Sequence, residues 1–460
     1  MALSQEDNDH QGARVLSSAT FLPGIVHPAR AVLGMALLIA CYQFAPYLAH
    51  LLGSPIGLVR AMQPADFPTF YHAAVTYRAG GNPYELSTLA EGAKGTHVFP
   101  FLHPPTSLPV FFPLALAGFD ASLLVFELLS FLCLVYVLFV VIRTAEEEQW
   151  PKSWRLVSLV ALTSFSAIDL TFNTGQVNII ATAAIVFAWM SARESGGRGE
   201  VASAAGLLIA ILLKTYPALL LLPFLIRRDF KVLGWFAVFA AGDALLSWIT
   251  VGHAVWQAWI VNVMPTGRFG ITPYGLFPPS ALSNQSLNGA LSRMLGEATT
   301  AELGPFVQAS VLGLTILACW TFRRQGRRSF YDYGFGAMSV ASFLIAPLSW
   351  YHHFVFLIPA LVAFASILNL SEYHDSLGWN SALLSITIMI SLKWPIIFSG
   401  DPAARVLRML PILGPLALFA MFTALPLVLW WHGTSLDRHP MKENDPCLTP
   451  SVGVPQPATR

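Results

Sequence analysis

Charge is what this chain has least of. Only 11% of its 460 residues are Asp, Glu, Lys or Arg, against about 25% in soluble domains. With 55% apolar residues and a mean hydropathy of +0.60, a soluble globular enzyme is excluded. Acidic and basic residues nearly cancel, leaving a net charge of +1, so the strong basic field that favours nucleic-acid binding is missing. Cysteine is scarce as well. Cys41, Cys133, Cys319 and Cys447 are far apart and lack ligand spacing, which gives neither a disulfide framework nor a zinc site. No Gly-x-x-x-x-Gly-Lys loop, dinucleotide fingerprint, His-Glu-x-x-His or Gly-x-Ser-x-Gly is present. Their absence argues against an ATP-driven pump and against a nucleotide-sugar enzyme with a soluble domain. No internal repeat is evident.

What is present in quantity is apolar sequence of membrane-spanning length. A span needs roughly 20 residues, and the candidates are 31–52, 120–142, 156–172, 175–192, 231–251, 304–322, 334–349, 351–369, 381–398 and 409–431. Residues 31–52 read as a signal anchor, because the run is too long for a removable signal peptide. Two further stretches are broken. Residues 104–118 hold Pro104, Pro105, Pro109 and Pro113, and 201–226 are interrupted by Lys214-Thr215-Tyr216-Pro217. Broken helices at membrane depth are tolerated beside protein or a water-filled cavity, so both are expected to be re-entrant or broken hairpins lining one. The expected fold is an all-α polytopic membrane bundle of about 10–12 helices. It comprises a cytoplasmic segment 1–30, one transmembrane domain 31–431 and a disordered cytoplasmic tail 432–460.

Basic loops orient the chain. Arg143 with Lys152 and Arg155, Arg193 with Arg198, Arg227-Arg228 with Lys231, and Arg323-Arg324 with Arg327-Arg328 are expected to be cytoplasmic by the positive-inside rule. Ten crossings with both termini inside satisfy this, or twelve if 201–226 crosses twice. The outer side then receives the loop 53–103, the corner at Asn173-Thr174-Gly175-Gln176, the loop 252–303, the corner 347–353, and a turn 399–408 with Asp401, Arg405 and Arg408. The unusual polar residues collect on that one face.

Each of those residues has a structural and a functional reading. Asp66, between Pro64 and Pro68, is either a helix N-cap or a general base within reach of an acceptor hydroxyl. Arg78, in a Gly-rich loop, is a solvated side chain or a phosphate ligand. Lys214 breaks an apolar run, and an ionisable residue inside a membrane segment marks a functional site by default. Adjacent His352 and His353 project in different directions and have no third ligand nearby, so an interfacial belt or a phosphate contact outweighs a metal site. His103 sits in a Pro-rich turn. The clusters Gly175-Gln176-Val177-Asn178 and Asn284-Gln285-Ser286-Leu287-Asn288-Gly289 either cap helices or hydrogen-bond sugar hydroxyls.

Taken in order, seven stretches resemble glycosyltransferase family 87, bacterial membrane enzymes of the GT-C fold. They are Asp66-Phe67-Pro68-Thr69-Phe70-Tyr71, Gly80-Gly81-Asn82-Pro83-Tyr84, His103-Pro104-Pro105, the two amide clusters (the second with Ser283), Leu213-Lys214-Thr215-Tyr216-Pro217 and Trp350-Tyr351-His352-His353. One departure is His103, where many relatives have Tyr before the two prolines. The resemblance implies inverting transfer of a hexose or pentose, mannose foremost. The donor would be a polyprenyl-phosphate sugar and the acceptor a lipid or glycan, on the outer face of the bacterial inner membrane. It implies Asp66 as base and Arg78, Lys214, His352 and His353 around the donor phosphate. Tyr71, Asn82, Tyr84, His103, Gln176, Asn178, Asn284, Gln285 and Asn288 would contact sugar or acceptor. No cofactor and no metal are expected, since such a donor carries no nucleotide diphosphate and no carboxylate pair is evident. The alternative is a transporter or flippase of lipid-linked sugars. Its mark would be matched broken helices in two halves around a midplane site, and the neighbours of the two broken stretches do not match as repeats.

Overall fold

Helices account for the regular structure of the computed structural model, which describes residues 64–148, 150, 165–194, 196–370, 383, 386–387 and 410–432. The expected signal anchor, the first part of span 156–172, most of span 381–398, the turn 399–408 and nearly all of the tail lie outside those residues. Among the described residues there is no strand.

The described residues open with α1 (Phe67–Arg78) and α2 (Leu86–Gly92), followed by short helical turns from Pro105 to Leu116 and the long α3 (Phe119–Glu147). Then come α4 (Ser166–Thr174), α5 (Asn178–Arg193) and α6 (Gly197–Leu213). After a break, a 3-10 stretch Tyr216–Leu221 runs into α7 (Leu222–Arg227), and α8 (Phe230–Val251) follows. The stretch between α8 and Leu295 holds α9 (His253–Ala258), a π-turn Trp259–Val263 and α10 (Leu287–Leu295). α11 (Glu297–Phe322), α12 (Arg327–Ile345), a 3-10 entry Tyr351–Leu357 into α13 (Ile358–Leu370), and α14 (Leu413–His432) are the remaining described elements.

Among the described residues, five helices are long and apolar enough to span a bilayer: 119–147, 230–251, 297–322, 351–368 and 410–428. The chain is an all-α polytopic membrane protein. Three expected spans come out displaced, 304–322 among them, since α11 starts seven residues earlier at Glu297. The span 334–349 becomes α12, which starts seven residues earlier because its polar first two turns stay helical within an ion-paired layer. It stops at Ile345 ahead of Pro347. The span 175–192 becomes α5, which starts at Asn178 after Gly175 closes α4 in the left-handed region.

Small residues set the central packing. Gly206 of α6 lies against Ala184 and Ala188 of α5, where a Cβ would come within 2.9 Å of the Ala184 carbonyl. Such pairs let helix backbones approach closely in membranes. The broken stretch 201–226 is a helical hairpin, as expected. α6 climbs to Lys214, where the backbone turns extended, and Tyr216–Arg227 descends again. Both feet are tied at one level, Glu200 to Lys231 at 3.7 Å and Arg227 to the Gln325 carbonyl at 3.1 Å.

That level is a charged layer. Arg193 pairs with Asp332 at 2.6 Å and Arg327 with Asp229 at 2.8 Å, while Arg328 reaches Glu147 at 3.0 Å and Glu148 at 2.6 Å. It gathers the ends of α3, α5 and α7 with the starts of α8 and α12. The polar residues of greatest chemical interest lie at the other end of α12, roughly 28 Å away at 1.5 Å per residue, about one hydrocarbon thickness.

Candidate active site

Six polar side chains from five separate parts of the chain line one cavity of about 810 Å³: Asp66, His103, Gln176, Lys214, His352 and His353. Local sequence explains the placement of Asp66 and Gln176. Asp66 occupies the N-cap position of α1, but its side chain makes no cap hydrogen bond, so it is free to face the cavity. Its backbone N–H donates to the Thr174 carbonyl at 2.8 Å, which docks the start of α1 on the end of α4. Gly175 permits this contact. At φ +66° a Cβ there would come within 2.6 Å of the Phe67 Cβ and 3.1 Å of the Pro64 Cβ. The next residue, Gln176, hydrogen-bonds the Asp66 carboxylate.

Gly175→Ala is therefore expected to push Asp66 off its position and lower turnover by about a hundredfold, the usual cost of an ångström-scale misplacement. Initial rates at saturating donor, on protein checked for monodispersity, measure this.

The electrostatics centre on one cation. Burial raises the Asp66 carboxyl above its ordinary pKa, and the Gln176 hydrogen bond, the Lys214 charge and a Thr174 hydrogen bond oppose that rise. His103 is pushed down to about 3, first by burial and then by Lys214, so its imidazole is neutral at any working pH. Its ring donates to the Leu213 carbonyl, next to Lys214. His352 and His353 each carry a buried Nε2 with no hydrogen-bond partner. An anion entering here would meet one ammonium and the imidazoles of His103, His352 and His353, a set able to stabilise developing negative charge. Among the described residues, no three potential metal ligands gather.

Other residues singled out in the sequence sit off this wall. Arg78 is exposed and donates to the Ala115 carbonyl. Tyr71 hydrogen-bonds the Ala117 carbonyl at 3.1 Å and packs on Phe67 and Phe119. Asn82 accepts from the Tyr84 N–H at 3.1 Å, and the buried Tyr84 donates to the His103 carbonyl at 2.6 Å. Asn178 is buried and donates to the His352 carbonyl at 3.3 Å. Asn284, Gln285 and Asn288 are fully buried, and their amides bond the chain around Pro279–Leu282 and the 347–351 corner. Ser286 caps α10 by accepting from the Gly289 N–H at 3.2 Å.

Aromatic residues to which the sequence analysis gave no site role form much of the remaining wall: Tyr216, Trp259, Phe277 and Trp350. The Tyr216 hydroxyl is buried without a partner, and its position two residues after Lys214 was the available signal. Trp259 begins the π-turn, a distortion frequent at functional sites.

A family model described as glycosyltransferase family 87 matches residues 101–349, more than half of the chain. The chain belongs to glycosyltransferase family 87. It is thus a glycosyltransferase, and the matched region includes His103, Gln176 and Lys214. Asp66, His352 and His353 flank it. Individual family members are similar over most of their length. A polyprenol-phosphate-mannose-dependent alpha-(1-2)-phosphatidylinositol mannoside mannosyltransferase of Mycolicibacterium smegmatis is 27% identical over 346 residues, 70% of this chain and 74% of the relative. The enzyme of that description from Mycobacterium tuberculosis is 26% identical over 316 residues, 64% and 67% of the two chains. A Mycolicibacterium smegmatis pentamannoside mannosyltransferase, also polyprenol-phosphate-mannose-dependent, is 27% identical over 311 residues, 66% and 71%.

Proposed function

We propose that this family 87 enzyme transfers mannose, with inversion, from a polyprenyl-phosphate donor to a hydroxyl of a glycolipid on the outer face of the bacterial inner membrane. The observation that carries the reading is the convergence of Asp66, Lys214, His352 and His353 on one cavity. The relatives support the donor and acceptor classes through the activities in their names.

Asp66 takes the proton of the acceptor hydroxyl as its oxygen attacks the anomeric carbon. The bond between that carbon and the phosphate oxygen breaks on the opposite face, through an oxocarbenium-like transition state. The electron pair leaves with the polyprenyl phosphate, and Lys214 with an imidazole N–H meets the charge that develops. Gln176 holds the carboxylate in place. Arg78 plays no direct part, being engaged with the Ala115 carbonyl. The outer location rests on the arginine-rich layer at the far end of α12, which the positive-inside rule assigns to the cytoplasm.

Incubating purified protein with polyprenyl-phosphate mannose and a lipid extract tests the reading. Mannosylated lipid of inverted configuration is expected. Counterflow of lipid-linked sugar in liposomes without any transfer would overturn it.

The pH profile adds a second check. Asp66 acts as a base only when ionised, and burial raises its pKa, so the rate is expected to fall as pH drops through that raised value. Lys214→Met removes a charge that favours the ionised form. The acid limb of kcat should then move to higher pH while the rate at its plateau also drops. A limb that stays in place would separate Lys214 from Asp66.

A further inference from the structure

The corner that carries the two histidines is gripped from outside by a pair of asparagines. Asn284 Nδ2 donates to the Pro347 carbonyl at 3.3 Å, and its Oδ1 accepts from the Ser349 N–H at 3.0 Å. The neighbouring backbone N–H of Gln285 donates to the Ser349 carbonyl at 2.7 Å. Ser349 is therefore held at both of its main-chain groups. Asn288 Nδ2 adds a 2.8 Å bond to the Pro347 carbonyl, and its Oδ1 accepts from the Gly270 N–H at 2.7 Å. Gly289 leaves room for the grip, since a Cβ there would collide with Asn284. Both asparagines are fully buried and both are outside the cavity wall.

The consequence appears one residue further on. The Trp350 N–H donates to His353 Nδ1 at 3.2 Å. A nitrogen that accepts cannot carry the proton, and in a neutral imidazole the other nitrogen must. His353 Nε2 is then an N–H donor, and it is buried in a residue that lines the cavity. Asn284 and Asn288 fix Pro347 and Ser349, those fix the direction of the Trp350 N–H, and that bond selects the His353 tautomer.

We infer that Asn284, assisted by Asn288, is a positioning residue that acts through Trp350 to hold His353 as an Nε2–H donor toward the departing phosphate. The inference rests on the proposed phosphate site and says which histidine nitrogen serves it. It also gives the amide cluster a task other than meeting sugar.

The test is a double-mutant cycle. Asn284→Asp keeps the acceptor for the Ser349 N–H and loses the donor to Pro347. His353→Gln retains an amide N–H but has no tautomer to fix. With polyprenyl-phosphate mannose as donor, Asn284→Asp is expected to lower kcat/KM about tenfold in the wild-type background. In the His353→Gln background it should lower it by less than about twofold, the signature of groups acting as one unit. Equal losses in both backgrounds, or none in either, would overturn the inference. Asn288→Asp serves as the second variant if Asn284→Asp does not fold, with the same expected pattern. If neither yields folded protein, the asparagines are purely architectural and the inference fails. A separate readout needs no turnover. Nitrogen NMR of histidine-labelled protein should show the His353 signal, identified by its loss in His353→Gln, as the neutral Nε2–H form. Asn284→Asp should mix the tautomers. If Asp66→Asn proves fully active, the base assignment falls while this spectrum still judges the inference.

Discussion

Asp66→Asn is expected to lower transfer by about a thousandfold, within the range for losing a positioned general base. The amide keeps the size of the side chain and cannot accept the acceptor proton. Folding should survive, because the Asp66 side chain caps nothing and its backbone bond to Thr174 is untouched. The affinity for donor should change little, since the proposed mechanism places the phosphate on Lys214 and imidazole. Single-turnover rates with saturating polyprenyl-phosphate mannose, beside equilibrium binding of the donor, separate the two effects. Undiminished turnover would end the base assignment. A loss confined to donor binding would move Asp66 to the phosphate site.

The second large effect is on stability. Arg193 and Asp332 are 6% and 0% exposed, respectively, and meet at 2.6 Å. The same Asp332 oxygen accepts from Trp189 Nε1 at 2.8 Å, and the Arg193 guanidinium also lies over the Trp189 ring, 4.6 Å from its centroid. Removing one partner of a buried pair strands the other charge, at a cost of about 3–5 kcal/mol. Arg193→Met is accordingly expected to unfold in detergent well below the parent temperature. Arg193→Met with Asp332→Leu should recover much of the loss, because apolar replacement of both members is often close to neutral. Thermal unfolding followed by tryptophan fluorescence measures both. A single variant as stable as the parent would show that the pair is not desolvated in the membrane.

The fold was legible wherever apolar length decides it. Residues 120–142 and 231–251 were found within a few residues of α3 and α8, and the interruption at Lys214 marked the hairpin tip. Displacements came where polarity and helicity part company. Arg327 to Asp332 form nearly two helical turns whose charges are ion-paired and which run from half-buried to buried, which hydropathy cannot register. The site was half legible. Asp66, His103, Gln176, Lys214 and the histidines stand out as polar residues in unusual places, and they do meet at one cavity. Arg78, Tyr71, Asn82 and Tyr84 stand out equally by type and satisfy the backbone instead. The difference lies in which carbonyls end up unpaired nearby, such as those of Ala115, Ala117 and His103, and one-dimensional pattern carries no record of that. Asn284 and Asn288 show the same limit: an amide suits a sugar hydroxyl and a main-chain clasp equally well.

The hairpin that carries Lys214 behaves mechanically as an arch. Its crown holds the cavity's ammonium, and its two footings, at Glu200 and Arg227, are tied to neighbouring helices, roughly 21 Å below at 1.5 Å per residue. Any slackening at the footings is transmitted along two packed legs to the crown. The set of positions at which evolution can tune the cavity is therefore much larger than its wall, and it extends to surface residues at the far ends of the two legs. Natural variation in rate among relatives need not be written in the residues that touch sugar.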